Sequence, residues 1–156
     1  MKLDAFDAQI LNVLQNDNQI TSAEMAARVN LSPASCLRRM RRLREEGTIV
    51  ADVSIVAPEA VGRNLTMIVL VSVERERPEL LDEFKRSMQR TPEVMQCYYV
   101  TGDADFVLLV TAADMADYES FTQRFFFENP NIRRFSTMVV MNRVKFATMI
   151  PIPVEA

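Results

Sequence analysis

Histidine is absent from all 156 residues. The commonest general base is therefore missing, together with every Ser-His or Cys-His nucleophile arrangement and the histidine ligands of many zinc sites. Two cysteines, Cys36 and Cys97, stand far apart in sequence and form no metal-ligand spacing. Both are read as reduced thiols, and neither a metal nor a cofactor is expected. With three glycines there is no phosphate-cradling Gly-rich loop, and no paired acid-base motif fills these gaps, so the chain is not expected to be an enzyme. No apolar run approaches the roughly 18 residues of a membrane span. The opening Met1-Lys2-Leu3-Asp4 leads into an amphipathic pattern, not a signal region, and the expectation is a soluble, cytoplasmic protein with no membrane partner.

What is present is ordinary globular composition, 49% hydrophobic and 25% charged, in a length that suits one domain or two small ones. The formal charge is −3. Against that acidic balance, residues 28–44 hold six arginines and no acid. A solvated helix face is one reading of such a run. A polyanionic partner is the other, because each phosphate neutralised by arginine releases condensed counterions, and that release drives binding.

The local pattern around the arginines favours the second reading. Asp4 can cap a first helix in which Phe6, Ile10, Val13 and Leu14 form one apolar stripe. Thr21 and Glu24 have capping-box spacing, so a second helix runs to about Val29 and buries Met25, Ala26 and Val29. Asn30-Leu31 then turns, and Ser32-Pro33 starts a third helix that ends near Glu46, before Gly47. Two helices joined by a short turn describe a helix-turn-helix, whose later helix enters the DNA major groove. Leu37, Met40 and Leu43 are the expected inward face, with Ser35, Arg38, Arg39 and Arg42 on the other side. Ser32, Pro33, Ala34 and Ser35 are assigned to the groove floor, and Arg38, Arg39 and Arg42 to mixed base and phosphate contacts with double-stranded DNA. Residues 48–51 and 53–56 read as two short strands forming a wing. Cys36 reads as a small buried residue.

Residues 58–64 read as a linker, after which the pattern becomes strand, helix, strand, strand, helix, strand. The expected strands are 65–74, 94–101, 106–112 and 136–146. The expected helices are 78–90, burying Leu81, Phe84 and Met88, and 114–128, burying Tyr118, Phe121 and Phe125. The fold class is thus α+β: a winged helix-turn-helix over residues 1–57 followed by a ferredoxin-like βαββαβ unit over 65–156. Residues 67–71 and 106–110 are continuously apolar. Both faces of those strands should be covered, and helices of the same unit cover one, so the other predicts a second copy packed sheet to sheet in a homodimer. Tyr98 and Tyr99 fall on opposite faces of their strand, each with core packing as its expected job.

Leu3-Asp4, the 7–11 segment Asp-Ala-Gln-Ile-Leu, Leu31-Ser32-Pro33, Cys36-Leu37, Arg39, Arg41-Arg42-Leu43 and Gly47-Thr48-Ile49 together resemble the DNA-binding domain of the Lrp/AsnC, or feast/famine, transcription regulators. The resemblance continues through 101–106, Thr-Gly-Asp-Ala-Asp-Phe, which is similar to that family's Gly-x-x-Asp hairpin, to Val139-Val140, and so spans essentially the whole chain. It departs from the family pattern at Asn129-Pro130-Asn131-Ile132, where many relatives have Leu-Pro-Gly-Val, and at Ala51-Asp52, where Gly-Tyr is frequent. Asn tolerates the left-handed conformation that glycine would supply, so the turn can survive the change.

The resemblance implies that the βαββαβ unit is the family's RAM-type amino-acid-sensing module, which dimerises through its sheet and assembles to tetramers or octamers. It also implies a small effector, commonly an amino acid, bound between modules near Gly102, Asp103, Ala104 and Asp105. Gly102 lets the backbone approach a ligand, amides there can meet a carboxylate, and Asp103 or Asp105 can meet an ammonium. A hairpin turn with Gly and Asp there for backbone reasons alone is the competing reading. Ser136 and Thr137, at the entry to the last strand, are further effector candidates from the same resemblance. The implied function is a sequence-specific DNA-binding regulator whose assembly or DNA affinity responds to the effector, in a bacterial or archaeal nucleoid-associated setting. An effector-independent architectural DNA-binding protein, using the same arginines on phosphates alone, is the alternative.

Overall fold

A computed structural model describes residues 3–154. The chain divides into two compact units. One comprises the residues up to Ile55 together with those from Lys145 onward, and the other is Val56–Val144.

The first unit is helical. Helix α1, Ala5–Leu14, is capped by Asp4, whose carboxylate accepts from the Asp7 amide at 2.8 Å while the Asp7 carboxylate accepts from the Asp4 amide at 3.2 Å. Helix α2, Ser22–Val29, starts on the expected Thr21–Glu24 box and ends at Asn30, which is left-handed at φ 57°. Helix α3, Pro33–Glu45, starts on Ser32, whose Oγ accepts from the Ser35 amide at 3.2 Å. Pro33 sits at the first helical position, where its missing N–H costs nothing. The three helices enclose Ile10, Leu11, Leu14, Met25, Val29, Cys36, Met40 and Leu43. Each such side chain contributes about 1.5–3 kcal/mol relative to exposure.

Three expectations for this unit are corrected. Leu37 is 51% exposed and Cys36 takes its place inside, because Cys36, Met40 and Leu43 at i, i+4 and i+7 make a tighter stripe than one beginning at Leu37. Phe6 is likewise exposed, and the buried positions of α1 are Asp7, Ala8, Ile10, Leu11 and Leu14. No strand forms at 48–57 among the described residues. Two four-residue runs separated by Asp52 alone leave no room for a two-residue turn, and a lone two-stranded ribbon is marginal in water. Asp52 instead pairs with Arg44 at 2.8 Å.

The end of the chain also returns to this unit. Gln15 clamps the backbone of Ile150 in both directions, donating to its carbonyl at 3.0 Å and accepting from its amide at 2.6 Å. Asn12 donates to the Ile152 carbonyl at 3.0 Å, and the Ile152 side chain packs on the helical core. The sequence pattern assigns everything from 65 to 156 to the second unit, whereas residues from Lys145 onward group with the first; the last two residues lie outside the described chain.

The second unit is the expected βαββαβ. Its elements are β1 Leu65–Val73, α4 Pro78–Arg90, β2 Val94–Tyr99, β3 Phe106–Ala112, α5 Met115–Thr122 and β4 Ile132–Val139. The strands form one antiparallel sheet in the order β2-β3-β1-β4. Alternation sends Met67, Val69 and Val71 of β1 and Phe106, Leu108 and Val110 of β3 onto the helices, with Leu81, Phe84 and Met88 of α4 against them. The opposite face carries Ile68, Leu70, Val107 and Leu109, which are half-buried with no helix over them. Segment 58–64, expected to be a linker, contains a 3-10 turn at Pro58–Val61, and Arg63 donates to the Thr111 carbonyl and pairs with Asp117 at 3.1 Å.

After α5 the helix widens into a π turn at Gln123–Phe127. Regular helical spacing places Phe125, four residues beyond Phe121, in the core. The π turn inserts one residue, so Phe126 is buried while Phe125 is partly exposed. The last strand lies at Ile132–Val139, not 136–146. Asn131 is not left-handed, since Asn30 has the positive φ among the described non-glycine residues. It secures its turn by side chain instead, accepting from the Arg75 amide at 3.1 Å and donating to the Arg75 carbonyl at 3.2 Å.

Candidate nucleic-acid interface and effector turn

On α3, Ser32, Pro33, Ala34 and Arg38 are exposed and Ser35 is half-buried, so the groove-floor candidates and Arg38 share an accessible face. Arg39 and Arg42 do not project beside Arg38 as freely as the sequence suggests. Arg39 Nη1 lies 2.7 Å from Asp7 Oδ1 and 2.8 Å from Asp4 Oδ2, and Arg42 Nη2 lies 2.7 Å from Asp7 Oδ2. The Arg39 side chain is 19% exposed and crosses the Phe6 ring at 5.6 Å. Both arginines flank the buried stripe of α3 on the side of α1, where these carboxylates stand.

Electrostatics follow from these contacts. The backbone hydrogen bond from Asp7, reinforced by Arg39, holds the Asp4 carboxyl below its ordinary value. The hydrogen bond to Asp4 raises the Arg39 guanidinium further. Arg44 does for Asp52 what Arg39 does for Asp4. Three of the six arginines are thus ion-paired, whereas Arg28, Arg38 and Arg41 are exposed with no carboxylate within 4.0 Å among the described residues. Arg41 and the exposed Leu37 are not among the expected interface residues. The signal for both is the i, i+4, i+7 stripe from Cys36, which rotates them outward.

The β2–β3 turn is held from below. Gly102 takes φ 125°, a conformation that side chains other than glycine's rarely adopt. Asp105 Oδ2 accepts from the Val73 amide at 2.7 Å, and the Asp105 amide donates to the Val71 carbonyl at 2.9 Å. Asp105 is therefore bound into the turn, while the Asp103 carboxylate is exposed and meets no partner among the described residues. Ala104 is half-buried between them.

Ser136 and Thr137 do not act together. Strand alternation puts Ser136 opposite Leu70 on the helix-free face, and Thr137 opposite Val69 on the helix side, hydrogen-bonded to the Tyr118 hydroxyl. Burial pushes the Tyr118 hydroxyl pKa up. Tyr98 and Tyr99 are 54% and 51% exposed, so neither serves the core as expected, although the Tyr99 ring touches Phe106 at 5.1 Å. Arg134, absent from the sequence-predicted site, reaches the turn from β4: Nη2 donates to the Asp103 carbonyl at 3.2 Å and Nε to Ser72 Oγ at 3.4 Å. An arginine two residues before Ser136, hence on the same face, is the signal in the sequence that points to it. A groove of about 380 Å³ between α4 and the 124–131 segment contains none of the expected effector residues.

Comparison with known proteins agrees with this geometry. Residues 3–50 match the family model for winged helix-turn-helix DNA-binding domains, and residues 66–150 match that for the Lrp/AsnC ligand binding domain. An HTH-type transcriptional regulator of Sinorhizobium fredii is 58% identical over 154 residues, covering 99% of this chain and 91% of that protein. The leucine-responsive regulatory protein of Escherichia coli K12 is 34% identical over 92% of this chain and 87% of its own length. A transcriptional regulator of Neisseria meningitidis, crystallised as a complex with L-methionine, superposes with a TM-score of 0.90 at 30% identity, covering 96% of this chain and 97% of the other.

Proposed function

The chain belongs to the Lrp/AsnC family of transcriptional regulators, and from that premise we propose that it binds double-stranded DNA sequence-specifically and alters its DNA affinity or assembly when an amino acid occupies the ligand-binding domain. The observation that carries this reading is the Ser32-capped, Pro33-started α3 behind a short turn, with Ser32, Ala34, Arg38 and Arg41 exposed. N-terminal residues of such a helix meet base edges, and the following cations take phosphates. Support for the amino-acid half is the L-methionine complex of the Neisseria regulator together with the Gly102 turn, which offers a carboxylate at Asp103 that is unpartnered among the described residues.

The working unit is a homodimer joined through the helix-free sheet face, where Ile68, Leu70, Val107 and Leu109 stand half-buried, and it builds to tetramers or octamers. A two-fold pair also presents two α3 helices to successive major grooves, about 34 Å apart. The protein acts in the cytoplasm, on the nucleoid. No catalytic step is assigned to it.

Three experiments test the reading. Sites selected from a random DNA pool should bind more tightly than random competitor at matched salt; equal affinity points to an architectural DNA-binding protein instead. Titration of the twenty amino acids by calorimetry should find at least one that binds and shifts DNA affinity by a coupling of about 1–3 kcal/mol. Sedimentation should give a dimer or a multiple of it, and a monomer at micromolar concentration would refute the assembly.

A further inference from the structure

Arg134 lies on edge strand β4, opposite Ser72 of β1 on the helix-free face. Its Nε and Nη2 point the same way and are both engaged, Nε on Ser72 Oγ at 3.4 Å and Nη2 on the Asp103 carbonyl at 3.2 Å. Ser72 Oγ in turn donates to that same carbonyl at 3.4 Å. The side edge of the guanidinium is thus bound to protein acceptors, one of which belongs to the effector turn, and the terminal Nη1–Nη2 fork is left over. No carboxylate lies within 4.0 Å of Arg134 among the described residues.

A planar guanidinium held along one edge and free along the other is pre-organised for a bidentate anion, since little side-chain freedom remains to be lost on binding. Asp103, whose carbonyl it holds, carries a carboxylate that is exposed and unpartnered among the described residues. A fork for a carboxylate on β4 and an acid for an ammonium on the turn it holds, with no ion pair between them within 4.0 Å, are the complement of a zwitterion. Gly102, at φ 125°, leaves open space where another residue would place a Cβ.

We propose that Arg134 is the carboxylate anchor of the effector site: its terminal fork receives the free α-carboxylate of an amino acid whose ammonium meets Asp103. This rests on the amino-acid effector reading above and sharpens it. The ligand class is a free α-amino acid, and carboxamides and esters, which lack the anion, are rejected at this residue. Arg134 is exposed and outside the buried core, so its replacement removes no core packing.

The test uses the full-length protein and the pair L-methionine and L-methioninamide, the acid being the ligand of the Neisseria relative. If L-methionine is silent, the acid and amide of the tightest binder among the twenty amino acids replace it. Arg134→Gln should weaken the acid about tenfold to a hundredfold, the range for removal of a charge-assisted pair, and leave the amide unchanged. Arg134→Lys, which keeps charge without the fork, should recover part of the loss, and both variants should keep the wild-type circular dichroism spectrum. An acid-over-amide preference that survives Arg134→Gln overturns the anchor while leaving the effector reading standing. Wild-type protein that binds none of the twenty overturns the effector reading and the anchor with it.

Discussion

Asp7 Oδ1 and Arg39 Nη1 lie 2.7 Å apart, across the interface between α1 and α3. Asp7 is 1% exposed, and its second oxygen takes Arg42 at the same 2.7 Å. One carboxylate on the first helix therefore holds two arginines of the helix proposed to enter DNA. Geometrically it fixes the rotation of α3, so that Ser32, Ala34, Arg38 and Arg41 look outward while Cys36, Met40 and Leu43 look in.

Removing that carboxylate should cost more than an ordinary surface pair. Asp7→Ala takes a 1%-exposed carboxylate from Arg42 and from Arg39, which keeps Asp4, and breaking a buried pair costs about 3–5 kcal/mol. With the Arg42 side chain 40% exposed, the low end of about 3 kcal/mol is expected. Spectroscopy can localise the loss. There is no tryptophan, and all three tyrosines, Tyr98, Tyr99 and Tyr118, lie in the βαββαβ unit. Asp7→Ala should therefore lower the denaturant midpoint seen by helical circular dichroism and by hydrogen exchange in α1–α3, with tyrosine fluorescence unmoved. Coincident, unshifted midpoints would show that Asp7 does not stabilise the unit.

Three carboxylates of the helical unit set a pH dependence. Asp4, Glu24 and Asp52 all have carboxyl pKa values lowered by folding, through the Asp7 amide, the Thr21 amide and Arg44 respectively. A carboxylate with a folded pKa below its unfolded one stabilises the fold above the unfolded value, and that contribution is lost as pH falls through the folded value. Stability of the helical unit should then be level above about pH 5 and decline as pH drops below the ordinary values of 3.8 for aspartate and 4.5 for glutamate. Asp4→Asn and Asp52→Asn should each flatten the decline. Thermal unfolding between about pH 3 and 6, followed by circular dichroism, measures it, and a decline as steep in both variants as in the wild type would contradict the assignment.

How much of this is legible in the sequence depends on how local each signal is. Asp4, Thr21 and Ser32 cap their helices as expected, because a cap is a contact across three residues. Leu81, Phe84 and Met88 are buried as expected, because α4 is a regular helix. Phe125 falls in the core only if α periodicity continues through a segment that turns π, and composition does not mark that change. Arg39 and Arg42 look free in the sequence because their partner on α1 lies 32 and 35 residues upstream, outside any local pattern. The expected wing rests on β-branched residues alone, with no turn chemistry to support it. Arg134 is marked in the sequence only by its place two residues before Ser136, since Ser72 and Asp103 lie 62 and 31 residues away and come to it through the fold.

The ion pairs redistribute the expected DNA contacts. Arg38 and Arg41 are exposed and free of carboxylates within 4.0 Å among the described residues, whereas Arg39 is 19% exposed. Where either of the first two binds a phosphate, its removal should lower the slope of log affinity against log salt by about 1 per site and weaken binding across sequences alike. Where it reads a guanine edge, the penalty is about 1–3 kcal/mol and falls on particular sequences. Arg38→Ala and Arg41→Ala, titrated on selected and random DNA at several salt concentrations, distinguish the two. Arg39→Ala should act chiefly through stability. Unchanged DNA affinity in both Arg38→Ala and Arg41→Ala would show that the exposed face of α3 is not the DNA-facing one.

Gly102 allows a cleaner separation of the two halves of the proposed mechanism. A Cβ at this position meets nothing within 4 Å, so substitution brings no clash; its cost is the φ of 125°. Holding such a conformation with a β-branched residue costs about 1–3 kcal/mol, which Gly102→Val relieves by shifting the turn. The turn carries the Asp103 carbonyl that Arg134 binds and the Asp105 carboxylate that holds the Val73 amide, so a shift disturbs both. Nothing in α1–α3 belongs to the same compact unit. Gly102→Val should consequently weaken amino-acid binding about tenfold or more, on the scale of 1.4 kcal/mol per decade, while ligand-free DNA affinity stays within about twofold of wild type, a difference under about 0.5 kcal/mol on that scale. Calorimetry and DNA titration on the same preparation measure the two. Equal weakening of both would mean that the turn serves the assembly that binds DNA, and not the ligand alone.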